Sequence, residues 1–164
     1  KDAIFRIAGE INWTISMHGG GSYMDWRLYE PRRITDVITR HPETRFDIFH
    51  LGIPLVSQIV GLAKQYPNVT LNLNWAPALS ETITRSTIHE IIETVPVNKV
   101  IAFGSDVMED IEAAYGHLVM TREVIAEALA ERIRRGRLDM EGARRIVKLW
   151  FHDNPEKIYG LEQA

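Results

Sequence analysis

Four stretches of this chain run apolar and then stop on a polar residue fit for chemistry. They are Thr14-Ile15-Ser16-Met17-His18, Phe46-Asp47-Ile48-Phe49-His50, Val69-Thr70-Leu71-Asn72-Leu73-Asn74-Trp75 and Lys99-Val100-Ile101-Ala102-Phe103-Gly104-Ser105-Asp106. Helix-like sequence separates them. That alternation predicts an α/β fold on a parallel sheet, with a site at the carboxyl ends of the strands. The repeat supplies about four βα units, roughly half of a closed eight-stranded barrel. The chain therefore reads as a single domain over residues 1–164, the second half of a longer barrel with helices added at its end.

The helical segments follow from spacing. Ile4, Ile7 and Ala8 predict a helix over about residues 3–11. Pro31 suits the first turn of the next helix, whose buried face is Ile34, Val37 and Ile38, and His41-Pro42-Glu43 ends it. Leu55, Ile59, Leu62 and Ala63 mark another, closed by Tyr66-Pro67-Asn68. Ser80 is placed to cap a helix through Ile83, Ile88, Ile91 and Ile92. A long helix over about residues 115–135 stops at Gly136. Asp139 caps the next, and Asn154-Pro155 cap and start a last turn ending at Gly160. Gly19-Gly20-Gly21 opens a long polar loop, Ser22-Tyr23-Met24-Asp25-Trp26-Arg27. Its glycines let the backbone approach a ligand closely, and a loop this long suits a binding face.

Composition narrows the function classes. The chain carries 22 acidic and 19 basic side chains, for a net charge of −3. That balance argues against a nucleic-acid footprint, which shows as a clustered basic excess. No apolar run is long enough to span a bilayer, so no membrane partner is expected. Cysteine is absent. Any metal must then be held by His, Asp or Glu, and a cytoplasmic setting is expected.

Three residues carry the candidate chemistry. His18 ends its strand before three glycines; it is either a metal ligand or a His bonded to a neighbouring backbone group. His50 ends the next strand in the same way, and parallel neighbours bring equivalent ends together. Asp106 follows the very apolar Val100-Ile101-Ala102-Phe103, where a carboxylate needs a partner or a metal. It is either a ligand and general base on a water, or a helix N-cap competing with Ser105. Trp75 either walls a substrate pocket or fills core space. Asn72 and Asn74 share one side of their strand. His117 follows Asp106 closely enough to be weighed as a further active-face residue. His89 and the Arg132, Arg134, Arg135, Arg137 cluster read as solvated, the latter a helix end favoured by the dipole. Glu109, Asp110 and Glu112 belong to the loop and first turn of the long helix.

Taken together, His18-Gly19-Gly20-Gly21, His50-Leu51-Gly52-Ile53-Pro54, Leu71-Asn72-Leu73-Asn74-Trp75 and Phe103-Gly104-Ser105-Asp106 resemble the amidohydrolase superfamily. The nearest group is the amidohydrolase-related, TIM-barrel metal-dependent hydrolases. The tail Asp153-Asn154-Pro155-Glu156-Lys157-Ile158-Tyr159-Gly160-Leu161 is similar to that group's usual end. The resemblance implies the C-terminal half of a distorted (β/α)8 barrel, strands five to eight. His18 would match the strand-five metal ligand. His50 would match the strand-six His, a ligand or a substrate-polarising acid/base. Asp106 would match the strand-eight Asp that binds metal and takes the proton of the attacking water. The implied cofactor is a divalent metal, commonly Zn2+.

The implied reaction is attack of activated water on a C–N or C–O bond of a small molecule. Relatives in the same group instead break C–C bonds as decarboxylases or isomerise sugar acids. The family's first-strand His-x-His pair has no counterpart here, so an inactive half-barrel module is the other alternative. A half barrel leaves two sheet edges open. The chain is therefore expected to meet the missing N-terminal half, or further copies in a homo-oligomer.

Overall fold

Parallel strands joined by helices place every strand end on one edge, and this chain shows that arrangement. The computed structural model describes residues 2–20 and 31–161. The elements are α1 (Asp2–Glu10), β1 (Thr14–His18), α2 (Pro31–Arg40), β2 (Arg45–Phe49), α3 (Val56–Gln65), β3 (Val69–Asn72), α4 (Ala76–Leu79), α5 (Glu81–Thr94), β4 (Val100–Ile101), α6 (Ile111–Arg134), α7 (Met140–Lys148) and α8 (Asn154–Tyr159). The strands form one four-stranded sheet in the order β1-β2-β3-β4, all parallel. The register pairs Ser16 with Asp47 and His18 with Phe49 across β1 and β2, and Asp47 with Thr70 across β2 and β3.

The two sides of the sheet differ. Alternation sends Phe46 and Ile48 of β2 to one side and Asp47 to the other. Phe46, Ile48, Val69 and Leu71 join Ile34 and Ile38 of α2, Ile59 and Ala63 of α3, Ile88 and Ile91 of α5 and Ile125 of α6 in one buried cluster. The opposite side is polar, with Ser16 and His18 exposed on β1. The sheet is therefore covered by helices on one side and presents polar residues on the other, as the wall of a barrel does.

Several predicted ends hold. Ser80 Oγ accepts from the Ile83 amide and Asp139 Oδ1 from the Gly142 amide. Gly136 follows α6 with φ of 64°, and the amides of Gly136 and Arg137 bond back to Ile133 and Arg132, which ends the helix with its last carbonyls satisfied.

Others need correction. α6 starts four residues earlier than its spacing suggests, because Asp110 caps it through the Ala113 amide at 2.9 Å. β4 is two residues long; beyond it single bonds tie the chain to the segment after β3, such as Trp75 N–H to the Gly104 carbonyl at 3.0 Å. Asn154 caps nothing. It is buried, and its Nδ2 donates to the Val97 and Val100 carbonyls at 2.8 and 2.7 Å, tying the tail to the start of β4. A π-helical turn, Leu149–Asp153, joins α7 to α8 without a break and frees the Trp150 carbonyl to accept from Ala102 N–H.

Arg132 is also not solvated. Its side chain is 10% exposed and both terminal nitrogens donate to Glu93 Oε1. His89 bonds Glu131 and Arg85 pairs with Glu127, so part-exposed polar contacts link α5 and α6. Among the described residues, no helix is long and apolar enough to cross a membrane.

Candidate active site

The segments just past three strands meet at one edge of the sheet, and each passes through unusual backbone. His50 directly follows β2 with φ of 63°, Trp75 follows β3 with φ of 55°, and Asp106 follows β4 with φ of 55°. Left-handed backbone at a non-glycine residue costs about 1–3 kcal/mol and collects at functional sites. Leu51, next to His50, shares it with φ of 52°. The sharp turns aim side chains across the sheet edge instead of along the strand.

His50 is fully buried. Its Nδ1 lies 2.8 Å from the Asn74 carbonyl oxygen. A carbonyl only accepts, so Nδ1 carries the proton and Nε2 keeps a bare lone pair. That lone pair faces His18 Nδ1 at 3.0 Å and lies 3.9 Å from Asp106 Oδ2. Burial pushes the His50 imidazole below its ordinary value, with His18 adding to the push and the Asn74 bond and Asp106 opposing it. The ring is held neutral, the form a metal ligand or a general base needs. The edge of Trp75 meets it at 5.9 Å between ring centres.

Asp106 is partly exposed and does not cap a helix, since Asp110 has that role in α6. The loop that carries Asp106 is held from two sides. His117 Nδ1 of α6 donates to the Ser105 carbonyl at 2.8 Å. Gly104 packs so closely on Asn74 that a Cβ would stand 2.6 Å from Asn74 Oδ1. His117 thus reaches the active edge through the backbone next to Asp106. Gly20, on the other flank, packs on the turn after His50: a Cβ there would sit 2.2 Å from the Ile53 carbonyl oxygen. Gly21 and the rest of the predicted loop, with Ser22 to Glu30, lie outside the described residues.

Two imidazoles and a carboxylate are the right donors for a borderline divalent ion such as zinc. The neutral His50 with a bare Nε2 fits a cation. His18 and Asp106 flank it, but the three donor atoms do not all close on one another. Among the described residues, the group of three metal-capable side chains with donors all within 4.8 Å of one another is His152, Asp153 and Glu156. In that group His152 is exposed while Asp153 and Glu156 are half-buried, and Lys148 Nζ already pairs with Asp153 at 2.6 Å. The donors at the sheet edge fit a metal in kind and supply part of a coordination shell.

Sequence reading missed one residue that the structure makes prominent. Asp47 is fully buried in the middle of β2, and its Oδ2 accepts from Asn72 Nδ2 at 2.8 Å and from the Tyr159 hydroxyl of α8. Its Oδ1 has no hydrogen-bond partner. Burial raises its pKa to about 6, with the bonds from Tyr159 and Asn72 opposing. The signal was available: a carboxylate between Phe46 and Ile48 in an otherwise apolar strand must be satisfied somewhere.

Comparison with known proteins places the family and the fold. The sequence profile described as Amidohydrolase matches residues 1–161. No curated protein matches the chain. Three solved structures share the fold. A candidate metal-dependent hydrolase from Lactobacillus casei ATCC 334 superposes with a TM-score of 0.78 at 16% identity, over 98% of this chain and 43% of that one. An uncharacterized TIM-barrel protein from Bordetella bronchiseptica gives 0.63 at 15% identity, over 99% of this chain and 50% of its own. Amidohydrolase 2 from Bifidobacterium longum subsp. infantis gives 0.60 at 13% identity, over 97% and 54%. The chain spans about half the length of these structures, so its four strands correspond to about half of a TIM-barrel chain.

Proposed function

The chain belongs to the amidohydrolase family over residues 1–161, and from that premise we propose that it carries half of the active site of a metal-dependent hydrolase acting on a C–N or C–O bond of a small molecule. The observation that carries the reading is the buried, neutral His50, whose bare Nε2 faces His18 and Asp106 at the carboxyl edge of the sheet.

In this reading His18 and Asp106 hold the metal, zinc being favoured by the imidazole and carboxylate donors. The remaining ligands come from strands outside this chain. A bound divalent ion supplies Lewis acidity and brings the pKa of a water it holds to about 7. Asp106 takes the proton of the attacking water on its carboxylate and passes it to the leaving nitrogen or oxygen. His50 accepts a hydrogen bond from a substrate N–H or O–H at its bare Nε2, its orientation fixed by the Asn74 carbonyl. Trp75 presents an apolar wall beside His50 for the substrate's carbon skeleton.

The test is a panel of small amides, lactones, sugar acids and aromatic carboxylic acids offered to the full-length protein with Zn2+. The reading expects hydrolysis, seen as products heavier by one water in total and sensitive to chelation. Release of carbon dioxide, or a product of unchanged mass, overturns the hydrolase assignment.

A further inference from the structure

We propose that Asp47 and Asn72 form a positioning relay that fixes the tautomer and orientation of His50. The inference rests on His50 being a site residue for its functional meaning. Its structural content stands on a run of hydrogen bonds in which every donor is determined.

The run starts at the buried Asp47 carboxylate. Its Oδ2 accepts from Asn72 Nδ2 at 2.8 Å. That contact orients the Asn72 amide, because only the nitrogen end of the amide donates. The oxygen end is then turned toward Asn74, whose backbone N–H donates to Asn72 Oδ1 at 2.9 Å. Asn74 in turn offers its carbonyl to His50 Nδ1–H at 2.8 Å. Residue 74 is thus held at both its N–H and its C=O just where β3 breaks into the left-handed turn at Trp75. Asp47, Asn72, Asn74 and His50 are each at most 4% exposed, so water does not stand in for a lost partner. The Tyr159 hydroxyl adds a second donor to the same Oδ2, which extends the relay to the last helix.

The geometry requires an acceptor oxygen at position 47. Without one, Asn72 Nδ2 keeps only its long 3.4 Å contact to the Tyr159 hydroxyl, and the amide is free to rotate. Asn74 then loses its amide partner, and its carbonyl no longer selects the Nδ1–H form of His50. None of these residues other than His50 touches the reacting atoms, so Asp47 and Asn72 are positioning residues.

The experiment is a two-bond 1H–15N spectrum of the full-length, metal-free protein labelled with 15N-histidine, with the His50 signals assigned by loss in His50→Asn. The wild type is expected to show His50 as one tautomer, protonated at Nδ1 and bare at Nε2. Asp47→Leu, with its fold checked by circular dichroism, is expected to show averaged tautomers. Asp47→Asn keeps an acceptor oxygen and is expected to restore the single tautomer. A folded Asp47→Leu with wild-type His50 signals overturns the relay, as does an Asp47→Asn displaced as far as Asp47→Leu. If Asp47→Leu does not fold, Asn72→Ala deletes the next link without adding bulk; a single His50 tautomer in that variant overturns the proposal.

A second readout links the relay to the site. In the proposed function His50 meets the substrate through Nε2, so loss of its orientation lowers turnover and leaves metal affinity unchanged. Asp47→Leu is expected to lower kcat about 10²-fold with Zn2+ affinity kept, and Asp47→Asn is expected to keep kcat near wild type. Wild-type protein that binds no metal overturns the function proposed above, while the tautomer spectra still decide the relay.

Discussion

His18 Nδ1 lies 3.0 Å from His50 Nε2, joining the ends of two adjacent strands. Because His50 spends its own proton on the Asn74 carbonyl, the proton in this contact belongs to His18. The two imidazoles are thus joined by one hydrogen bond, donated by His18 Nδ1 to His50 Nε2.

The two histidines differ in what else they do. His18 is exposed, and its replacement by Ala removes only the hydrogen bond to His50 Nε2, at a cost of about 1 kcal/mol. His50 is fully buried, and His50→Ala leaves the Asn74 carbonyl unpartnered beside a cavity, at a cost of about 2–3 kcal/mol. Urea unfolding of both variants separates the effects. Equal destabilisation would contradict the placement of His18 at an open edge.

Asp106 is assigned to chemistry and Asp110 to capping, and substitutions distinguish the roles. Asp110→Ala is expected to cost about 1 kcal/mol of stability with little change in turnover. Asp106→Gly relieves the left-handed backbone and is expected to gain about 1 kcal/mol. Asp106→Asn is expected to lower kcat by roughly 10²–10⁴-fold on whichever substrate the panel identifies. Near-normal turnover in Asp106→Asn would remove the residue from the mechanism.

Stability should rise on acidification through the range where Asp47 titrates. Its folded pKa is raised from 3.8 to about 6, so folding favours the protonated carboxyl. The stabilisation is complete below the unfolded value and lost as pH climbs through about 6. Asp47→Asn removes that dependence. It is expected to be more stable than wild type near pH 8, by at most about 3 kcal/mol, with the gap closing toward pH 4. Denaturant midpoints at several pH values check this, and a gap that widens toward acid would reverse the assigned shift.

Much of this fold was legible because its cause is local. The polar stops at His18 and His50 mark real strand ends, while β3 stops at Asn72, short of Trp75, and the caps at Ser80 and Asp139 are side chains bonding amides three residues on. The parallel order follows from alternating strands and helices. What sequence spacing misread depends on partners far along the chain. Asn154 looks like a cap but serves Val97 and Val100, more than fifty residues away. Arg132 looks solvated until Glu93 of α5 meets it. Asp47 looks like one polar position in a strand until Asn72 and Tyr159 converge on it. The left-handed residues His50, Trp75 and Asp106 are not glycines, so their own side chains do not announce the backbone they adopt.

The tail is a test of that long-range reading. Asn154→Ala strands the Val100 carbonyl, while Val97 keeps Trp150 Nε1 at 3.1 Å. The loss is expected to be about 2–3 kcal/mol, large for a single polar residue near the end of the chain. A loss under about 0.5 kcal/mol in thermal or urea unfolding would place the tail outside the cooperative unit.

The most direct test of the metal-dependent site is the metal content of the full-length protein after exhaustive dialysis, measured by elemental mass spectrometry alongside His18→Ala, Asp106→Ala and, as a control, Glu156→Ala from the exposed His152 cluster. The account predicts stoichiometric divalent metal in the wild type and the control, and its loss in the His18 and Asp106 variants. Metal retained in both of those variants, or lost only with Glu156, would contradict it.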